Sequence, residues 1–249
     1  MSDTVKPRVI VAGVLIAIAG ICYSSWVLEF CWPSPFDPMR TFLSELDSEH
    51  RPHRLVYVAG DVTTGVCSLL AGILLLVPRP AVRRAIPITA IAALAAFGAA
   101  TIADALLPIE CIAGLDPGCR TEPSGLLPQL HHVHALTSTL AVFAIFTVMV
   151  AGSVAALRRD AWPLLRIAGT AILVIVALAT VWMLVADNLT GNYRLGLAQR
   201  IQVGGMSVWL MLWGAALIRS AFARINPDDP ARIGLTPGAE PHPIEAHPR

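Results

Sequence analysis

Residues 125–146 read GLLPQLHHVHALTSTLAVFAIF. Three histidines, His131, His132 and His134, stand directly ahead of an apolar run that continues to Leu157 without an acid, lysine or arginine. A run of that length predicts a helix that crosses the hydrocarbon layer, which is roughly 30 Å thick and takes about 20 residues at about 1.5 Å each. The polar head of that helix admits two readings. The histidines are either metal ligands, with zinc as the candidate ion, or interfacial residues bonded to loop carbonyls.

Working outward, the same apolar length recurs. Spans are expected at about 9–30, 55–77, 86–107, 132–157, 164–186 and 198–218, with prolines 78, 80 and 108 closing two of them. The expected architecture is all-α: a polytopic membrane protein with six transmembrane helices in one bundle over residues 1–225. Residues 226–249, rich in proline and polar groups, are expected to be a disordered cytoplasmic tail. Composition agrees, with 55% hydrophobic and 14% charged residues and a mean hydropathy of +0.66. A water-soluble domain needs a polar skin that this composition does not supply. A net charge of +1 leaves no basic face for nucleic acid, so membrane lipids and a lipid-like substrate are the expected partners.

Lys6 and Arg8 precede the first span, which is long for a signal peptide; it is read as a retained anchor. Basic residues 79, 83, 84, 158, 159, 166, 219 and 224 gather on one side with those two. The positive-inside tendency then places both termini in the cytoplasm of a cell membrane, with the long loops 31–54 and 108–130 outside. Cys111 and Cys119 share an outer loop around an Asp-Pro-Gly turn, and a disulfide is the simplest reading there.

Ionisable groups inside lipid are costly and usually face the bundle interior. Steps of three and four put Arg54, Tyr57, Asp61, Thr64 and Ser68 on one stripe of helix two. Helix three offers Thr101 and Asp104, helix four His131, His134 and Ser138 on one face, helix five Asp187, and helix six Arg200 and Ser207. The loop before helix two adds Ser44 and Glu45. These residues predict a polar pocket toward the outer leaflet. In an enzyme acting on lipid or isoprenoid head groups, Asp61, Asp104, His134 and Ser138 are the catalytic candidates. Arg54, Ser44, Glu45, Asp187 and Arg200 would bind ligand, and His131, His134 and Asp104 would bind a metal. A small permease and an accessory protein are the alternatives, and Asp61 with Arg54 reads equally as a structural ion pair.

The segments at 24–66, 106–120, 131–138 and 196–217 together resemble a bacterial six-helix membrane family catalogued as domain of unknown function 998. The likeness rests on Ser44–Leu46 ahead of helix two, Glu110–Cys111 after helix three, and the histidines opening helix four. It implies a six-helix plasma-membrane protein and brings no activity with it.

Overall fold

The computed structural model describes residues 5–34, 36–77, 85–112, 115–119, 132–158, 162–189, 191 and 193–223. Among these, the regular elements are all helical. Helix α1 (Val5–Cys22) continues as a 3-10 segment, Ser25–Cys31. Then follow α2 (Arg54–Leu76), α3 (Ala85–Leu106), α4 (Val133–Leu157), α5 (Thr170–Ala186, led by a π-helical turn Leu165–Gly169) and α6 (Leu195–Ala223). Six of these stretches are long and apolar enough to cross a membrane. The expected tail at 226–249 lies outside the described residues.

The sixth helix, Leu195–Ala223, runs a few residues past the expected span of 198–218 at both ends. Gly196 and Arg200 lie in its first two turns. They are helical because neighbouring groups satisfy them: Arg200 is bonded on three sides, and the absent side chain of Gly196 lets loop backbone seat against the helix.

The helices pack in the ring order α5–α6–α1–α2–α3–α4. Lipid removes the hydrophobic drive between helices, so close backbone approach has to supply the attraction. Two facing pairs of glycines do this. A Cβ on Gly214 would lie 2.5 Å from the Gly13 carbonyl oxygen, and one on Gly98 would lie 2.5 Å from that of Gly65. The half of the bundle nearer the chain termini is filled by apolar side chains, with Trp209 fully buried and seated over Gly152. Ile167, Phe143 and Leu178 are about two-thirds exposed, a surface that suits hydrocarbon and would be a fault in water.

The opposite end, the loop side, is closed by residues 32–53. The Leu43 amide donates to Gln199 Oε1 at 2.5 Å, Arg200 Nη1 to the Thr41 carbonyl at 2.8 Å, and the Glu49 amide to the Ile109 carbonyl at 3.2 Å. Cys111 and Cys119 are joined by a disulfide. Arg51 ties that disulfide loop to the cap through both oxygens of Asp116, each at 2.6 Å. The Ile112 amide and Arg51 hold the Asp116 carboxyl below its usual range.

Candidate functional site

Asp61 lies two turns into α2 from Arg54, and Asp104 sits in the last turn of α3. A carboxylate at a helix C-terminus opposes the helix dipole and needs partners. Helix α4 supplies them from its first turns. Thr137 and Ser138 hydroxyls each lie 2.7 Å from Asp104 Oδ1, and His134 Nδ1 is 3.3 Å from the same oxygen. His134 Nδ1 also lies 3.0 Å from the Leu107 carbonyl, which can only accept, so Nδ1 carries a proton. In the neutral ring that leaves Nε2 as an acceptor, 3.4 Å from Ser138 Oγ. The Ser138 hydroxyl thus faces two bases, a carboxylate and an imidazole that the same carboxylate orients.

The cap adds a third acid. Asp47 is buried, and its backbone carbonyl accepts from Arg54 Nε at 2.8 Å. Its Oδ1 has no hydrogen-bond partner. Burial pushes the Asp47 carboxyl up to about 6, with Asp104 adding to the rise and His134 and Arg54 opposing it.

These groups surround a cavity of about 100 Å³. Asp47 and Ser44 enter it from the cap, Asp61 from α2, Asp104 from α3, and His134 and Ser138 from α4. Helix α1 lines it with Tyr23 and, beyond its α-helical part, Trp26; α6 contributes Gln199 and Gln202.

The sequence-predicted residues divide. Asp61, Asp104, His134, Ser138 and Ser44 meet at the cavity. Arg54 does not pair with Asp61: seven residues is nearly two turns, about 10 Å along the axis, and its guanidinium turns to the cap instead. Arg200 belongs to a separate centre, bonded to Glu29 at 2.7 and 2.6 Å, and both residues are buried. Glu45 stands beside the cavity lining, its carboxyl raised by burial and lowered in part by the Phe42 amide, Arg51 and Arg200. Asp187 terminates α5, a helix that contributes nothing to the lining. His131 lies outside the described residues. Of the three expected metal ligands, His134 and Asp104 come together, and among the described residues no three His, Cys, Asp or Glu side chains group as a metal site.

Glu29, Gln199 and Gln202 were not singled out by sequence reasoning. The signal for Glu29 was present: an acid inside the apolar run Val27–Phe30 requires a buried cation. Gln202 Nε2 donates to Thr180 Oγ1 at 2.7 Å, a contact between α5 and α6 that spacing within one helix does not reveal.

Fold and site together define the class: an all-helical, six-span integral membrane protein with a polar cavity on its loop side. The family model described as "Protein of unknown function (DUF998)" matches residues 16–216, and the chain belongs to that family. The match includes every residue that lines the cavity. No curated protein and no solved structure matches the chain.

Proposed function

We propose that this protein is a membrane-embedded enzyme acting on the polar head group of a lipid or isoprenoid. The observation that carries the reading is the Ser138–His134–Asp104 constellation opening onto a cavity that Asp61 and Asp47 enter from other elements. A hydroxyl held 2.7 Å from a carboxylate and 3.4 Å from an imidazole acceptor has the arrangement of a nucleophile beside its base. His134 would take the proton of Ser138 and return it to the leaving group, with Asp104 stabilising the charged ring, and Asp61 would face the head group as a carboxylate. Thr137 and the Leu107 carbonyl hold Asp104 and His134 in place.

The cavity is small beside the roughly 300–1,000 Å³ of a site that encloses a drug-sized ligand. It therefore suits the polar end of a substrate whose chains stay in the bilayer. The disulfide, together with the basic residues on the terminal side, supports a loop side outside the cell membrane and termini in the cytoplasm. The apolar packing of the terminal half argues against a through-path for a permease.

The test is conversion of lipid. Purified protein in nanodiscs is incubated with total membrane lipid extract, and products are read by mass spectrometry beside Asp61→Asn and Ser138→Ala. A lipid species consumed by the wild type and spared by both variants supports the reading. Identical profiles for all three proteins would leave an accessory role.

A further inference from the structure

Five side-chain atoms among the described residues are buried with no hydrogen-bond partner. Three of them, Trp26 Nε1, Asp47 Oδ1 and Thr101 Oγ1, belong to residues that line the cavity. Thr101 is 4% exposed and Asp47 5% exposed, so bulk water does not satisfy them. Buried polar atoms almost always have partners, and three orphans on residues lining one space leave its wall short of polar contacts.

Charge limits what that occupant is. Carboxylates enter from the cap, α2 and α3, and Asp61 makes no hydrogen bond or ion pair with another described residue. The groups at hand able to carry positive charge are His134, beside Asp104, and Arg54, at the backbone of Asp47. Arg51 and Arg200 are held by Asp116 and Glu29. An anion would meet up to three negative charges against one histidine and one rim arginine. A bare metal ion would need converging ligands that the described residues do not group.

A space of about 100 Å³ admits a few waters, or one ammonium group with its first carbon atoms. Tyr23, Trp26 and Tyr57 put aromatic rings in the same wall, and such rings attract organic cations. We infer that the cavity binds a protonated amine, held by Asp47, Asp61 and Asp104 and bordered by these rings. The inference rests on the reading of the cavity as a substrate site and narrows the substrate to amine-bearing molecules. The amine belongs either to a lipid head group or to a soluble compound.

The full chain is reconstituted in phosphatidylglycerol nanodiscs, which carry no amine, and thermal unfolding is followed. In one arm ethanolamine is titrated into solution; in the other, half of the lipid is replaced by phosphatidylethanolamine. Glycerol and inorganic phosphate serve as amine-free additions. A rise in the unfolding midpoint in the first arm identifies a soluble amine, and a rise in the second alone identifies a lipid head group. Asp61→Asn and Asp104→Asn should weaken the response at least tenfold. Thr101→Val, which keeps every charge, should weaken it less, and Asp37→Asn, at an exposed ion pair, should leave it intact. No response in either arm, an equal response to glycerol or phosphate, or an undiminished response in both aspartate variants overturns the inference. Amine binding without lipid conversion removes the enzyme and leaves the amine site. Conversion of an amine-free lipid without any amine response does the reverse.

Discussion

Two buried acidic centres lie on the loop side of the bundle, built from the same chemistry and finished differently. At the first, Glu29 meets the guanidinium of Arg200 through two short bonds, and the remaining donor of Arg200 reaches the Thr41 and Gly196 carbonyls. Both charges there are neutralised, and four of the five guanidinium N–H groups are bonded. At the second, Asp47, Asp61 and Asp104 share one cavity with one histidine among the described residues, and a carboxylate oxygen is left without a partner. A satisfied buried pair fixes structure, since it has nothing left to offer a ligand. An unsatisfied cluster persists only where the rest of the fold tolerates its cost, which is the usual condition of a working site. The Glu29–Arg200 pair also anchors the cap through Thr41, so the first centre holds in place the lid from which Asp47 reaches the second.

The largest expected effect breaks the first centre. Arg200→Ala leaves Glu29 buried and unpaired, and should cost about 3–5 kcal/mol of stability, measured by denaturant unfolding in detergent. Replacing both partners, Glu29→Leu with Arg200→Met, should recover most of that loss, because the penalty comes from the orphaned charge. A single variant as stable as the wild type would show that the pair does not hold the cap.

The opposite signature is expected at the second centre. Asp104→Asn removes the acceptor shared by Thr137 and Ser138. Lipid conversion should fall at least about 10²-fold, while unfolding stays close to wild type. If stability collapses and the residual activity per folded molecule is unchanged, Asp104 is structural and the contrast between the centres disappears.

A smaller effect separates the cap from the bundle. A Cβ on Gly196 would lie 2.5 Å from the Thr41 carbonyl oxygen and 2.7 Å from that of Pro38. Gly196→Ala should therefore push the cap outward at a cost of about 1–3 kcal/mol. Hydrogen exchange should quicken at residues 39–48 and remain slow around Trp209. Uniformly faster exchange would mean that the cap and the bundle open as one unit.

Much of this was legible in the sequence, and the limits follow from what spacing can encode. Apolar run length specifies a membrane span almost by itself, so the six helices emerge close to their expected ends. Helical steps of three and four also placed Asp61, Asp104, His134 and Ser138 on inward stripes, because lipid penalises any outward charge. Which stripes face each other is a matter of helix order around the ring, and that is not periodic. Helix α5 was expected to contribute Asp187, and α1 contributes Tyr23 and Trp26 in its place. Arg54 and Arg200 were read as partners of the site because both lie near its depth. Each is taken by a group outside its own helix, the cap backbone seven residues back for Arg54 and Glu29 for Arg200, which one-helix spacing cannot foresee.

The smallest effect concerns the junction of cap and cavity. Asp47 has its carboxyl raised from 3.8 to about 6, chiefly by burial. Between those values the folded protein keeps a proton that the unfolded chain has released, so folding binds a proton. Stability should then fall as pH rises through that window and level off above it. Asp47→Asn lacks this group, so its stability should fall less across the window than that of the wild type and exceed wild type at pH 7. Asp61 and Asp104, with His134 and Arg54, are the charged groups around Asp47. Of these, His134 can be removed without changing the number of acids. In His134→Gln the fall should begin at the same pH and extend to higher pH, because an interaction that lowers the folded-state Asp47 carboxyl is gone. If Asp47→Asn keeps the fall undiminished, the proton does not belong to Asp47. The cap would then close the cavity without taking part in its charge.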